Sequence, residues 1–372
     1  DVYKRQVSLG GHYVFMSPLH FLQRPLRWLT LLSQCGAAAT GAPNFALALC
    51  VQAEIDERTA AQLDLSALRI LFCGAEPISA TVLERFEEKF APYGLRAGTV
   101  VPCYGLAEAT LIVSGGVQAN GQRVLNVVRK DLENGLLRMA GEAAQDVQAL
   151  VNCGPVVRDH RVAIVDPESR RLVEDGQTGE VWFSGPSVAS GYWANARASA
   201  ATFSATTACG QGPWMRTGDL GFCHDGSLYI AGRIKELIIL RGRNVHPHDL
   251  EASLRDAHPA LADAAIVVFA VEAGPTPQVV AWIEFGRRDR AVGELDFPQL
   301  TRQLRALLMA AHEIRLEHIA YLYQGAIPRT SSGKVQRHLC ASRHLDASIE
   351  QHRLLIHSTR QPTPSCQEAI AP

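Results

Sequence analysis

The sequence predicts an α/β protein in which a large domain precedes a smaller α+β domain. Three observations indicate this order. A short apolar run, residues 68–73, leads through a glycine-containing turn into an amphipathic stretch, as in a strand–helix unit of a parallel sheet. Between residues 152 and 191 apolar positions alternate, which is typical of a small β-barrel or an antiparallel sheet. After residue 235 short strands alternate with helices over the length of one small domain.

The overall composition argues against some classes of partner. The 372 residues carry 36 Lys and Arg against 37 Asp and Glu, so the net charge of −1 provides no basic excess for nucleic acid. No window approaches the ~20 unbroken apolar residues of a membrane span. The nine cysteines show no C-x-x-C spacing. This favours reduced thiols in a cytoplasmic protein over zinc binding or disulfides.

The first elements follow from residue type and apolar spacing. Val7–Ser17 is rich in Val, Phe and Tyr and is predicted to be a strand that ends at Pro18. Apolar residues at 22, 26, 29 and 32 have the spacing of a helix face. Further helices are expected at 44–51 and around 58–63.

Two predicted strand ends carry candidate ligand-binding residues. The strand at 68–73 is broken by Gly74–Pro77, and Ser79 is placed to cap a helix with Val82, Leu83, Phe86 and Phe90 on one face. A second strand, 98–103, is followed by Tyr104–Glu108. Open α/β sheets bind ligands beyond the carboxyl ends of their strands, so both turns are candidates for a binding site.

The later elements are shorter. Residues 118–150 contain more charge and few large apolar side chains, which indicates a partly helical surface insertion. In the second domain strands are predicted at 237–240, 265–271, 279–285 and 319–323, with helices at 248–257 and around 298–311.

Asp219 is a candidate ligand for a ribose. It lies in the turn Thr217–Gly218–Asp219, and a carboxylate can accept strong, charge-assisted hydrogen bonds from two vicinal hydroxyls. The same side chain can instead cap its own turn. The turn alone leaves both interpretations open.

Three further residues have a functional and an ordinary interpretation. Glu108 can hold Mg²⁺, which takes oxygen ligands, or be a surface glutamate. Tyr104 can stack on a purine or fill the core. Lys334 lies in a Ser/Gly loop that is not a P-loop, because Pro328 and Val335 occupy the required Gly and Ser/Thr positions. It can reach a phosphate from the loop tip or be a solvated surface lysine.

The order of these motifs resembles that of the adenylate-forming superfamily, which contains acyl-CoA synthetases, peptide-synthetase adenylation domains and luciferases. The motifs concerned are Gly74–Glu76, Tyr104–Glu108, Gly179–Glu180, Thr217–Asp219, Gly232–Arg233 and Lys334. Four stretches, 16–29, 43–50, 104–116 and 242–251, resemble the fatty-acyl-AMP ligases in particular. Ala107 agrees with that subfamily, since most of the superfamily has Thr there.

The resemblance implies a role for each motif. The nucleotide would contact Gly74, Ala75, Glu76, Tyr104, Gly105, Leu106 and Ala107. Asp219 and Arg233 would hold the ribose, and Glu108 would bind Mg²⁺. Lys235 would be the hinge, and Lys334 would reach the reacting phosphate. The implied reaction activates a fatty acid with ATP to acyl-AMP. The acyl group then passes to the phosphopantetheine arm of an acyl carrier protein.

The resemblance also implies a domain organisation. Residues 1–232 would be the C-terminal part of a large AMP-binding domain, with an insertion at about 123–150 that restrains domain rotation and disfavours CoA as acceptor. Residues 233–347 would be a small lid domain and 348–372 a disordered tail. The family's phosphate-binding loop would lie before Val7, so we expect an N-terminally truncated chain with impaired adenylation. A long-chain acyl-CoA synthetase and a non-catalytic nucleotide-binding or docking module are the alternatives.

Overall fold

The computed structural model describes residues 10–116, 123–141, 143–144, 146–240, 242–262, 264–272, 276–286, 295–330, 333–346 and 353–358. The chain divides into two compact units. Unit 1 comprises Asp1–Val127, Met139–Gly141 and Ala149–Ala231, and unit 2 comprises Val128–Arg138, Glu142–Gln148 and Gly232–Pro372. The division at Ala231/Gly232 falls beside the expected domain boundary, which stays a prediction.

Unit 1 begins with helices around a mainly parallel sheet. The helices are α1 (Pro18–Gln23), α2 (Leu26–Cys35), α3 (Asn44–Gln52), α4 (Glu57–Ala60) and α5 (Ala80–Phe90), and the strands are β1 (Ala39–Ala42), β2 (Ile70–Cys73), β3 (Val100–Leu106) and β4 (Leu111–Gly115). The sheet order is β1-β2-β3-β4. The pairs β1–β2 and β2–β3 are parallel and β3–β4 is antiparallel. The predicted strand–helix unit is therefore confirmed.

Helix α5 shows why the local prediction held. Ser79 caps it, its Oγ accepting a hydrogen bond from the Val82 N–H at 3.4 Å. Leu83, Phe86 and Phe90 are buried on the predicted face, and the two phenyl rings lie 4.8 Å apart. Full burial of such side chains contributes about 1.5–3 kcal/mol each, which anchors the helix on the sheet.

Two local predictions in unit 1 were wrong. Residues 10–17 form no strand, because no strand in the described part of the chain pairs with them; residues 7–9 lie outside that part. The second strand was predicted to end at Cys103. It continues to Leu106, because β4 returns beside it and supplies the hydrogen bonds that extend it.

The second half of unit 1 contains an antiparallel sheet. Its strands are β7 (Arg161–Val165), β8 (Gly179–Ser184), β9 (Met215–His224) and β10 (Ser227–Arg233), in the order β10-β9-β8-β7. Before it, β5 (Val124–Val128) pairs with β6 (Val147–Val151), and helix α7 (Ala196–Phe203) follows β8. The antiparallel strands expected from the alternating pattern are therefore present.

Unit 2 is a compact α+β unit with its own core. It contains the short helix α6 (Arg129–Glu133), the pair β11 (Ile238–Leu240) and β12 (Arg243–Val245), helices α8 (Pro247–Asp256), α9 (Phe297–His312) and α10 (Arg337–Leu345), and strands β13 (Ala265–Val271), β14 (Gln278–Phe285), β15 (Leu316–Tyr323) and β16 (Arg353–Ser358). The sheet order is β13-β14-β15-β16. Leu250 and Leu254 of α8 and Leu304 and Leu308 of α9 are fully buried in one cluster with the sheet.

Strand β16 corrects one expectation. Residues 348–372 were expected to be a tail without regular structure, but residues 353–358 pair antiparallel with β15. The prolines after residue 360 indicate an irregular tail, whereas the apolar run at 354–356 is typical of a strand. No helix in the described residues is long and apolar enough to cross a bilayer.

Candidate active site

The Asp219 carboxylate is held in the Thr217–Asp219 turn, which lies within β9 where the register between β8 and β9 shifts. Gly218 adopts φ +73°, a left-handed conformation that favours glycine. The Thr217 hydroxyl donates to the Val181 carbonyl at 2.6 Å and accepts the Asp219 N–H at 3.1 Å. The turn is therefore closed by Thr217. The Asp219 side chain is 8% exposed, and its Oδ2 accepts the Tyr104 hydroxyl at 2.5 Å.

Glu180 of β8 holds the Thr217–Asp219 turn in place. Its carboxylate is 1% exposed and accepts the Gly218 N–H at 3.1 Å and the Trp182 Nε1–H at 3.0 Å. Arg216 donates to the same carboxylate through Nε at 2.9 Å and Nη2 at 2.6 Å. A buried charge paired and bonded in this way keeps its position. The sequence identified Glu180 only as part of a motif and missed this role.

Tyr104 and Gly105 lie on β3, where the chain approaches β4 closely. A Cβ on Gly105 would lie 1.8 Å from the Leu111 carbonyl oxygen, so only glycine fits. The half-buried Tyr104 and Leu106 side chains pack against the core of the antiparallel sheet. Tyr104 is thus partly a core residue, and its hydroxyl joins β3 to the Asp219 turn across 115 positions of sequence.

The turn after β2 is tightly constrained. A Cβ on Gly74 would lie 2.6 Å from the carbonyl oxygen and 2.9 Å from the Sγ of Cys103, so this position also requires glycine. Ala75 is exposed and holds φ at +70°, which L-residues rarely adopt. Glu76 Oε1 accepts the Phe45 N–H at 2.5 Å, at the start of α3. A carboxylate is favourable at a helix N-terminus, so this bond secures the turn.

Glu108 lies on the single turn Ala107–Ala109 that follows β3, and Ala107 beside it is exposed. The Tyr192 hydroxyl donates to Glu108 Oε1 at 2.8 Å, and the Ala189 N–H donates to the Glu108 carbonyl at 2.8 Å. In the described part of the chain, no group of three or more His, Cys, Asp or Glu residues is placed to hold a metal ion. A lone carboxylate remains compatible with Mg²⁺, which is usually bound by one or two carboxylates together with substrate phosphates.

Arg233 and Lys235 belong to unit 2, where both are exposed at the end of β10 and in the turn Ile234–Glu236. A Cβ on the adjacent Gly232 would lie 2.2 Å from Nδ1 of His246, so the chain needs glycine to pass this imidazole. Burial lowers the pKa of His246 to about 4. The ring is therefore neutral at physiological pH and packs against the chain just before Lys235.

Lys334 also belongs to unit 2, in a tight loop. The Thr330 N–H donates to the Lys334 carbonyl at 2.8 Å, and the Lys334 N–H donates to the Thr330 hydroxyl at 3.1 Å. Arg329 pairs with Val335 across the loop, and the Lys334 side chain is exposed. Residues 331 and 332 lie outside the described part.

Arg337 connects the base of this loop to the rest of unit 2. Its guanidinium bonds both Glu251 oxygens, at 2.5 and 3.0 Å, and Glu236 Oε2 at 3.2 Å. It therefore ties the first turn of α10 to α8 and to the turn that contains Lys235. This residue was not predicted from the sequence. Its signal was a cation at a helix N-terminus, where the helix dipole disfavours positive charge unless a carboxylate is near.

Residues of the expected insertion make polar contacts within unit 2. Glu133 of α6 is 2% exposed and accepts from Arg243 Nη2 at 2.6 Å and Nε at 3.0 Å. Arg129 Nη1 lies 2.9 Å from Nδ1 of His312, and Gln148 Nε2 donates to Asp249 Oδ1 at 2.9 Å. Unit 2 thus contains Val128–Arg138 and Glu142–Gln148, which fall in the expected insertion, together with Gly232–Pro372.

Comparison with known proteins places the chain among adenylate-forming proteins. A family profile described as AMP-binding enzyme matches residues 6–193. The medium-chain-fatty-acid–[acyl-carrier-protein] ligase JamA of Moorena producens is 38% identical over 339 residues, covering 90% of this chain and 57% of the relative. The long-chain-fatty-acid–AMP ligase FadD32 of Mycolicibacterium smegmatis is 34% identical over 373 residues, covering 92% and 59%.

This chain is also similar to solved structures of fatty acyl-adenylate ligases. One from a study of fatty acyl-adenylate ligases from E. coli and L. pneumophila has a TM-score of 0.75 at 35% identity, covering 89% of this chain and 57% of that chain. Another, the L. pneumophila fatty acyl-adenylate ligase in complex with acyl adenylate and pyrophosphate, has a TM-score of 0.61 at 29% identity, covering 94% and 60%. The predicted resemblance is confirmed. The chain spans between half and two thirds of each relative's length.

Proposed function

Because the chain belongs to the AMP-binding enzyme family, we propose that it is part of a fatty-acyl-AMP ligase. The ligase would activate a fatty acid with ATP and pass the acyl group to the phosphopantetheine thiol of an acyl carrier protein. The names of two relatives, an acyl-carrier-protein ligase and a fatty-acid–AMP ligase, support this activity. The acyl adenylate and pyrophosphate bound to the L. pneumophila enzyme support the same intermediate and product.

The observation that carries the proposal is the pair of Tyr104 and Asp219. A buried carboxylate held by a tyrosine hydroxyl, and set in a turn that Glu180 and Thr217 fix, is a preorganised acceptor for ribose hydroxyls. In this proposal Asp219 and Arg233 bind the ribose.

The adenine would lie against the turn Gly74–Glu76 and the segment Tyr104–Ala107. Gly74 and Gly105 have no room for a side chain, so backbone there is packed against backbone. In this proposal the base lies beside that backbone, and the Tyr104 ring offers a stacking surface. Glu76 would act by holding the turn in place, because its carboxylate bonds the start of α3.

Glu108 would be the protein ligand of Mg²⁺, with the remaining ligands from phosphate oxygens and water. When bound, such an ion neutralises charge on the phosphates during transfer. Lys334, exposed at its loop tip, would place a positive charge on the reacting phosphate. Both groups would act by position and fixed charge.

The reaction would proceed in two steps. A carboxylate oxygen of the fatty acid forms a bond to the α-phosphorus of ATP while the bond from that phosphorus to the pyrophosphate oxygen breaks. The carrier thiolate then attacks the acyl carbonyl, a thioester forms, and AMP leaves with the electron pair of the broken C–O bond. Holding the reactants in line supplies much of the rate enhancement.

The acceptor preference is proposed from the insertion. Its segments share polar contacts with the C-terminal domain, including the buried Glu133–Arg243 pair, and this supports an insertion that restrains domain rotation. A restrained domain would favour a carrier-bound thiol over CoA.

The test uses the full-length protein with ATP, Mg²⁺ and a long-chain fatty acid, and follows pyrophosphate release and acyl-AMP by mass spectrometry. Asp219→Asn should weaken AMP binding and adenylation at least about tenfold, because it removes charge-assisted bonds. The matched control is Asp225→Asn, an exposed aspartate in the β9–β10 turn. Abundant acyl-CoA in the presence of CoA would favour an acyl-CoA synthetase, and AMP binding without turnover would favour a non-catalytic module.

A further inference from the structure

Glu108 is tied to a loop that the sequence analysis did not connect with the site. The Tyr192 hydroxyl, on the loop after β8, donates to Glu108 Oε1 at 2.8 Å. Two further bonds join the same segments. The Ala189 N–H donates to the Glu108 carbonyl at 2.8 Å, and the Thr110 hydroxyl donates to the Ser187 carbonyl at 2.6 Å.

Tyr192 contacts α7 through its ring and through its backbone N–H. Its ring meets the ring of Phe203 edge-on at 5.1 Å, and its N–H donates to the Ser199 hydroxyl at 2.8 Å. Ser199 and Phe203 lie on α7, whose first turn is capped by Asn195. The hydroxyl is therefore presented to Glu108 from a helix-anchored position.

We propose that Tyr192 is a positioning residue for Glu108. The Tyr192 hydroxyl engages Oε1, which sets the plane of the carboxylate and directs it as a preformed ligand for a divalent cation. This inference rests on the proposed role of Glu108 in binding Mg²⁺. Partners that hold a metal-ligating carboxylate in this way typically contribute about 10–100-fold to metal affinity.

The phenol is suited to this task. A neutral O–H donor satisfies one carboxylate oxygen without cancelling its negative charge, whereas a lysine or arginine there would compete with the cation. An alternative is that the bond only secures the loop. That alternative predicts a loss of thermal stability when the hydroxyl is removed, with no change in cation binding.

The experiment compares Tyr192→Phe with Tyr93→Phe in the full-length protein. Tyr192→Phe keeps the ring against Phe203 and removes only the hydroxyl. Tyr93→Phe removes a hydroxyl from a half-buried tyrosine elsewhere in unit 1. The readout is binding of a non-hydrolysable ATP analogue, measured by calorimetry over a series of Mg²⁺ concentrations.

For Tyr192→Phe we expect the Mg²⁺ concentration that gives half-maximal enhancement of binding to rise about tenfold. The dissociation constant at saturating Mg²⁺ and the melting temperature should stay unchanged, and Tyr93→Phe should match the parent. An unchanged Mg²⁺ dependence, with or without a lower melting temperature, overturns the inference.

Glu108→Gln separates this inference from the function it rests on. If Glu108→Gln leaves the Mg²⁺ dependence unchanged, the proposed role of Glu108 fails and the role of Tyr192 fails with it. If Glu108→Gln weakens Mg²⁺ binding but Tyr192→Phe does not, only the role of Tyr192 fails. The double variant should bind Mg²⁺ no more weakly than Glu108→Gln alone, because both changes act on one ligand.

Discussion

Replacing Arg243 with methionine should destabilise unit 2 through Glu133. The Glu133 side chain is 2% exposed, and its Oε2 accepts two bonds from Arg243, at 2.6 and 3.0 Å. Burial raises the pKa of Glu133 above its ordinary value of 4.5, even though Arg243 opposes that rise. Without Arg243 the carboxylate would remain in place with its main counterion removed.

The expected loss in the free energy of unfolding of Arg243→Met follows from two considerations. Removing one partner of a buried ion pair costs about 3–5 kcal/mol. The lower end applies here, because the Arg243 side chain is 25% exposed. Glu133 can also lose its charge by taking up a proton. Protonation at pH 7.5 of a carboxyl group with an ordinary pKa of 4.5 costs about 4 kcal/mol, because each of the roughly three pH units costs about 1.4 kcal/mol. We expect a loss of about 3 kcal/mol at pH 7.5.

The loss should depend on pH in a defined direction. In the variant the folded-state pKa of Glu133 lies further above the unfolded value. Its contribution to stability is therefore fully present below pH 4.5 and is lost as the pH rises through the folded-state pKa. The difference from the parent should be small near pH 5 and reach its full value near pH 7.5.

Trp282 allows the unfolding of unit 2 to be followed separately from that of unit 1. Of the five tryptophans, Trp282 alone lies in unit 2, fully buried on β14. Urea unfolding followed by ¹⁹F NMR of 5-fluorotryptophan-labelled protein therefore reports on this unit. Arg302→Met, which removes an exposed arginine of α9, is the matched control and should change stability by less than about 0.5 kcal/mol.

A double variant isolates the pair. Changing both Glu133 and Arg243 to methionine should recover most of the loss, because the Glu133 charge is removed together with its partner. A loss below about 1 kcal/mol for Arg243→Met, or one that is equal at pH 5 and pH 7.5, would refute the reasoning.

Three other outcomes are expected. Lys334→Ala should abolish adenylation in the full-length protein while AMP binding survives, and an unchanged rate of pyrophosphate release would contradict its role. Lys89→Met should lower the free energy of unfolding of unit 1 by about 1–3 kcal/mol, because Lys89 Nζ donates to three carbonyls at the end of α3. Urea titrations followed by circular dichroism measure this change, and an unaltered unfolding midpoint would exclude the capping role. Unit 2 should lose stability as the pH falls from 6.5 toward 4, because burial lowers the pKa of four of its histidines to about 4 and the unfolded chain therefore takes up protons first. Asp249, whose pKa burial raises to about 6, opposes this loss. An unfolding midpoint of Trp282 that does not change over this pH range would disprove the prediction.

Much of the fold could be predicted from the sequence because the signals are local. Helix α5 and its cap form a local signal within Ser79–Phe90, and strand β2 is a continuous apolar run. The order of the glycine and carboxylate motifs was enough to predict the family. These features depend on neighbours within a few positions, where spacing alone specifies which side chains share a face.

The tertiary structure decided which distant groups meet. Tyr104 reaches Asp219 across 115 positions, and Glu108 reaches Tyr192 across 84. The local sequence around each of these residues does not predict which distant residue it contacts. Strand β16 and the continuation of β3 likewise depend on a neighbouring strand that donates and accepts the hydrogen bonds. The sequence by itself determined most of the elements and the family, and the packing of those elements decided that Asp219 is held by Tyr104 and Glu108 by Tyr192.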